Sequence, residues 1–529
     1  MTEENQASIG RRMGLAALLL SASILLSRVL GFVREAVIAY LHGAGTATDA
    51  YYAAFTLPDL MAYFLTGGTL SITFIPMFSR YLAEGDEAGG WRLFSTVATT
   101  MGALMVLATV AFEAIAPFAV ARLNPGFVDS PEQLQLAVEM TRIVIPAQLA
   151  LFFGGLLNAT NYSREVFWPA ALAPLVYNLC IIAGGVVLDP WFGIRGFAIG
   201  VLIGAFLGPL GMPLIAARKH IKLEFRFAPS DPGFRKFILL TLPLILGVSL
   251  VTVDDWFLKY FGSMEADGAI SWLTNSRKLM LVVFAVVGQA AGQAALPFLT
   301  RLYHEGKEDE MGAMLARSLQ RVLFLAVIGA VGLAVAAEPI VFLIFQRGAF
   351  TVADAEMTST LLVCFAFGLT AWSAQTLAAR GFYARQDTLT PMLVGTFVVA
   401  VSIPVYMFLV QRWDVVGLAT ASSIAMTLSA VTTIGVYRWR TGNLPLGPIF
   451  TGLGRGALVA MVAGAAAWGT RWYVEPLIEP SGTLEWLLLG VAMGAPFLAV
   501  VLGISTIANF DEIDLVTSRL KRLARRVRR

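Results

Sequence analysis

The chain has 529 residues, of which 57% are hydrophobic and only 14% charged, and its mean hydropathy is +0.73. No water-soluble core can hide that much apolar surface, so soluble classes are excluded and the chain reads as a polytopic membrane protein. The formal net charge of +3 is small, and its placement along the chain carries the information.

The first apolar run, 15–41, follows Arg11 and Arg12. It is too long for the apolar part of a cleaved leader and lacks a small-residue cleavage site, so it is read as the first membrane helix. Runs near the ~20 residues that cross hydrocarbon then recur at 50–79, 93–120, 134–158, 168–188 and 195–217. A second series lies at 236–261, 268–299, 314–336, 356–380, 391–411 and 415–437, and two more at 452–473 and 484–507. The fold expected is all-α, with about 14 transmembrane helices.

Every second connection is basic: Arg80 and Arg92, then Arg164, then the group from Arg218 to Lys236, then Arg301, Lys307 and Arg317, then Arg380 and Arg385, then Arg438 and Arg440. Lys and Arg mark cytoplasmic loops, which places both termini in the cytoplasm. The tail "SRLKRLARRVRR" spaces Leu520, Leu523 and Val527 as one helical face. It is expected to lie as a basic amphipathic helix on the anionic inner leaflet, with nucleic-acid binding the weaker reading.

Two polar signatures occur twice. "IPMFSRYLAEGD" from Ile75 matches "LPFLTRLYHEGK" from Leu296, and "NYSRE" matches "FYARQ"; Pro76 and Pro297 differ by 221, as do Arg164 and Arg385. One offset shared by two separate signatures argues for an internal repeat. The expected divisions are an N-terminal six-helix bundle over 1–221, a C-terminal one over 222–442, two added helices over 443–508 and the tail 509–529. Six helices per copy gives both copies one orientation, hence a pseudo-twofold axis along the membrane normal and a cavity suited to alternating access.

Charges inside the apolar runs are the candidate functional groups. "SRVLGFVREA" (27–36) puts Arg28, Arg34 and Glu35 within the first span. An Arg at that depth costs at least ~2.5 kcal/mol unless it meets water or a partner. Arg28 and Glu35 are nearly two turns apart and should share a face, with Arg34 about a third of a turn away and Gly31 allowing a bend. The functional reading is an anion-binding cavity wall, with Asp49 of "GTATDAYY" able to absorb the excess charge; the plainer reading is an ion pair between helices. The second half carries Asp254 and Asp255 with Lys259 one turn on, and Arg277 with Lys278, so basic groups of both halves could face one cavity.

Other chemistry is missing from the sequence. His42, His220 and His304 have no metal-ligand or triad spacing, there is no GxxxxGK[ST] motif for ATP, and Cys180 and Cys364 read as buried hydrophobes. No enzyme activity and no cofactor are expected, and transport would be driven by an ion gradient or the membrane potential.

The stretch "SRVLGFVREAVIAYLHGAGTATDAYYAAFTLPDL" followed by "FIPMFSRY", with "FQRGAFTVADA" and "GFYARQDTLTP" further on, resembles the MurJ (MviN) lipid II flippase family of the multidrug/oligosaccharidyl-lipid/polysaccharide exporter superfamily. The resemblance covers essentially the whole chain. It implies a bacterial inner-membrane flippase that moves the undecaprenyl-pyrophosphate-linked peptidoglycan precursor, lipid II, from the cytoplasmic to the periplasmic leaflet, with membrane lipids and cell-wall synthesis proteins as further partners. The family's cavity arginines fall on Arg28 and Arg34 and its acid on Asp49; guanidinium forks suit a pyrophosphate. The resemblance also implies that the last two helices help form a groove for the isoprenoid tail. The resemblance implies sodium binding in the C-terminal bundle of some members, which here would fall to Asp254, Asp255 and Asp387. Two departures stand out: Ala62 and Tyr63 where a basic residue is common, and Arg277 preceding Lys278 where an acid precedes an arginine. They leave another polyprenyl-linked glycan as the alternative cargo; the alternative class is a multidrug-type small-molecule antiporter, for which about 12 spans and a cavity led by acids would be expected.

Overall fold

The computed structural model describes residues 3–65, 73–246, 250–508, 510 and 512. Among them there is no strand, and the fold is all-α. Residues 513–529, where the amphipathic tail is expected, lie outside the described set.

The chain divides into two units, Met1–Gly247 and Val248–Arg529. The first holds α1 (Glu3–His42), α2 (Thr46–Ala53), α3 (Thr56–Leu65), α4 (Ile75–Ala83), α5 (Glu87–Leu123), α6 (Pro131–Val144), α7 (Ala147–Ser163), α8 (Trp168–Phe192), α9 (Arg195–Ala205), α10 (Met212–Ala217) and α11 (Pro232–Leu246). The second holds α12 (Leu250–Gly262), α13 (Ala269–Phe284), α14 (Ala290–His304), α15 (Glu308–Val335), α16 (Ala337–Phe345), α17 (Val352–Ala384), α18 (Leu389–Thr441), α19 (Gly447–Ile478) and α20 (Thr483–Ile507). A contact that the repeat boundary at 221/222 does not anticipate is that of α11, which packs onto α3 and α5 of the first unit. Phe237 on α11 stands edge-on to Phe74, and both are buried.

Ten described stretches are long and apolar enough to cross a membrane. The expected number was about 14. Leu389–Thr441 contains two expected spans, joined across Trp413 and Asp414, whose backbone leaves the helical region. The expected spans 50–79 and 236–261 run through undescribed residues, and 15–41 begins among side chains that are not described.

Local sequence sets the helix ends. Asp86 accepts from the Gly89 N–H at the start of α5, and Thr351 with Asp354 forms a capping box at the start of α17, each satisfying amides that a helix leaves open. Within the units, burial picks out central members. Pro131–Ser163 (α6 and α7) is 61% buried in its most apolar stretch and Val352–Ala384 (α17) is 67%, against 22–39% for the other eight. Those two supply the interior on which neighbours pack, while the rest keep apolar faces for lipid, as Leu107, Phe118 and Val187 do. In the second unit α19 lies against α15. A Cβ on Gly452 would stand 2.3 Å from the Gln320 carbonyl oxygen, so only glycine allows this backbone approach.

Candidate functional site

Two charged clusters stand within the apolar helices, one in each unit. The first is built on α1, which packs along α8. Arg34 directs Nε and Nη2 to Glu35 Oε1, at 3.1 and 2.6 Å, and donates from Nη1 to Asn178 Oδ1 on α8 at 3.2 Å. Asn178 is held in turn by its amide, which donates to the Pro174 carbonyl at 2.9 Å and reaches Ser27 Oγ at 3.4 Å. Tyr52 on α2 donates to the other oxygen of Glu35 at 2.7 Å. The carboxylate is 2% exposed and the guanidinium side chain 22%, so the pair is closed on the Glu35 side and open on the Arg34 side. A charge-assisted fork of this kind fixes the guanidinium plane and offsets part of its desolvation cost.

Arg28 lies six residues before Arg34 on the same helix, roughly 9 Å along the axis, and is exposed. The pairing that the spacing of Arg28 and Glu35 does not anticipate is that of Glu35 with its chain neighbour Arg34. A long guanidinium side chain can bend around the helix to reach the adjacent carboxylate, which Cα positions alone do not reveal. Helix α1 runs on through Gly31. Asp49 is buried in the first turn of α2, where the helix N-terminus favours a negative charge. It is near the cluster in sequence, and both Arg28 and Asp49 have further interactions.

The second cluster joins α12, α13, α17 and α18. Arg277 Nη1 stands 2.8 Å from Asp254 Oδ2 and 3.8 Å from Asp255 Oδ1, with Arg277 6% and Asp254 1% exposed. Tyr406 donates its hydroxyl to Asp254 Oδ1, and Ser422 donates to Oδ2 at 2.9 Å. The guanidinium also stands 5.4 Å from the Trp372 ring centre, a cation–π position. Lys259 completes the cluster at 3.0 Å from Asp255. In this arrangement Arg277 is a buried ion-pair partner rather than part of an exposed cationic wall. Lys278, beside it, is half-buried.

The three carboxylates expected to bind sodium do not converge. Asp387 accepts from the Thr390 hydroxyl at 2.6 Å and from Arg440 at 2.9 Å, and Thr390 lies 16 residues before Tyr406 on α18, roughly 24 Å along the helix. Among the described residues no group of three or more His, Cys, Asp or Glu side chains is placed to hold a metal ion. Around Asp254 both oxygens already accept hydrogen bonds and a guanidinium supplies the positive charge, a donor set that fits a resident cation better than a sodium ion, which needs several oxygen ligands. Cys180 and Cys364, expected to be buried, are half-buried free thiols.

Sequence reasoning found the charged members of both clusters and missed Asn178, Tyr52, Tyr406 and Ser422. Asn178 carried the one usable signal, an amide in the middle of an apolar run. The hydroxyls carried none, because Ser and Tyr are ordinary in membrane helices.

Comparison with known proteins places these features. The chain is 29% identical to the probable lipid II flippase MurJ of Rhizobium meliloti (strain 1021), over 90% of this chain and 91% of that one. It is 27% identical to the probable lipid II flippase MurJ of Vibrio cholerae serotype O1, over 98% and 99%. A solved structure of lipid II flippase MurJ in an inward closed conformation shares the fold, with a TM-score of 0.76 at 21% identity, covering 93% of this chain and 100% of that one. An inward-facing multidrug resistance MATE transporter follows at a TM-score of 0.65 and 15% identity, covering 81% and 98%. The sequence profile of the family described as lipid II flippase MurJ matches residues 38–481; Arg28 and Arg34 precede that match and fall within the reach of the Vibrio alignment. With most of its length matched by that profile, the chain belongs to the MurJ lipid II flippase family.

Proposed function

We propose that this protein flips lipid II, the undecaprenyl-pyrophosphate-linked peptidoglycan precursor, from the cytoplasmic to the periplasmic leaflet of a bacterial inner membrane by alternating access, and that it is a transporter rather than a catalyst. The observation that carries the reading is the Arg34–Glu35–Asn178–Tyr52 network. It holds one guanidinium in fixed orientation within an apolar helix and leaves a second, Arg28, exposed about 9 Å away. Oriented guanidinium groups donate to the oxygens of a diphosphate in bidentate fashion, and low-dielectric walls strengthen that attraction. Glu35 keeps Arg34 in place without cancelling its open side. Asp49 balances the local charge when no headgroup is bound.

For the driving force we propose the membrane potential acting on the charged headgroup, with Arg277 serving as the resident counter-charge of Asp254. The basic loops support a cytoplasmic position for both termini, and the cargo's role in peptidoglycan assembly supports cell-wall synthesis proteins as partners. The test is complementation of a strain depleted of its own flippase, with lipid II extracted and its leaflet exposure measured. Arg28→Ala and Arg34→Ala are each expected to abolish growth while the protein still reaches the membrane. Normal lipid II exposure in either variant would overturn the assignment.

A further inference from the structure

The connection between α10 and α11 is an extended strip rather than a helix. Its residues alternate: Lys222, Glu224 and Arg226 against Leu223, Phe225 and Phe227, the period of an extended chain with one polar and one apolar edge. It is fastened to α5 by two hydroxyls one turn apart. The Glu224 N–H donates to Ser95 Oγ at 3.0 Å, Ser95 donates to the Lys222 carbonyl at 3.4 Å, and the Arg226 N–H donates to Thr99 Oγ1 at 3.3 Å. Fastened this way, the strip presents Phe225 almost wholly uncovered, at 92% exposure.

Leu223 and Phe225 close one end of a groove of about 840 Å³ that runs along α5 between α7 and α10. From Phe94 to Val110 its α5 wall is roughly 24 Å long, most of the ~30 Å hydrocarbon thickness. Apart from Thr99 and Glu224 the lining is apolar. At the strip end three cations, Arg218, Lys219 and Lys222, are exposed. Glu224 lies on the same strip, Lys222 also acts on the Glu87 carboxylate at the start of α5, and Arg226 is matched by Asp231 at 3.5 Å. An apolar channel of bilayer dimensions with a cationic mouth complements a molecule that has a long hydrocarbon chain and an anionic head.

We propose that this groove is a binding site for an anionic membrane phospholipid, its acyl chain lying along α5 and its phosphate at Arg218, Lys219 and Lys222. The site is separate from the Arg34 cluster and does not depend on which glycolipid the protein moves. Basic residues near a membrane surface contribute about 1 kcal/mol each toward anionic lipid, roughly five-fold in affinity. Lys219→Gln and Lys222→Gln lie on exposed positions, where substitutions leave stability nearly unchanged. Ala103→Trp fills the groove from an exposed position on its α5 wall.

The full chain is placed in nanodiscs with equal phosphatidylglycerol and phosphatidylethanolamine, and retained lipid is read by native mass spectrometry. The wild type is expected to retain phosphatidylglycerol in preference. Each lysine substitution lowers that retention on the order of five-fold, and Ala103→Trp removes it, with thermal stability unaltered in the lysine variants. Equal retention of the two phospholipids, unchanged retention in the lysine variants, or displacement of phosphatidylglycerol by an added polyprenyl diphosphate alone would overturn the proposal.

Discussion

The turn after α7 and the turn after α17 are built alike, whereas the charged clusters inside the two units are not. Arg164 pairs with Glu87 in the first unit and Arg385 with Glu308 in the second, and each partner differs from its counterpart by 221. In both, the guanidinium also faces an aromatic ring, Trp91 in one and Tyr303 with Tyr437 in the other. The backbone repeats as well. Glu165 and Gln386 have φ of 61° and 60°, and Gly85 and Gly306 have 77° and 72°, each at a helix end where a left-handed residue closes the last carbonyls. Even the buried central spans start at Pro131 and Val352 and end at Ser163 and Ala384, again 221 apart. The charged clusters break this agreement: Arg34 and Glu35 are neighbours on one helix, while Asp254 and Arg277 meet across two helices. Position 255 carries Asp where the offset would place Arg34, so the sign of the charge is reversed. Shared turns hold two similar helix frames, and the interior charges are free to differ in role.

That contrast can be broken most severely at the second cluster. Arg277→Ala leaves Asp254 buried without its counter-charge and is expected to cost about 3–5 kcal/mol, whereas Arg277→Met combined with Asp254→Leu recovers most of the loss. Thermal unfolding in detergent compares the three proteins; a single variant as stable as the wild type would show that the pair is not needed for stability. The likeness of the two turns is tested by Arg164→Ala and Arg385→Ala. Each removes a partly exposed ion pair and a ring contact, and each is expected to cost about 1 kcal/mol. Unequal losses in the same assay would mean that the turns match in geometry and not in energy.

The smallest effect is a gain. Asp414, at φ 48° and ψ −133°, stands 221 residues after Gly193, at φ 54° and ψ −141°. This is a conformation that glycine adopts freely and other residues do not. Asp414→Gly is expected to raise stability by about 0.5–1 kcal/mol, read as a higher Tm, and no change would mean that contacts of the Asp414 side chain offset the strain.

The amino-acid order by itself determined the all-helical membrane fold, the places of the intramembrane charges and the paired turn signatures. These are local properties: the length of an apolar run is matched to hydrocarbon thickness, and a Gly or polar residue at a helix end acts on its own turn. Only the tertiary structure decided what each charge meets. Arg34 finds Asn178 across 144 residues, Asp254 finds Tyr406 across 152, and the strip at 222–226 lies along α5 through Ser95 and Thr99. In an apolar interior a charge needs several partners at once, gathered from helices far apart in the chain. A linear pattern shows that such partners are required and does not show which residues the packing of helices brings to the same point.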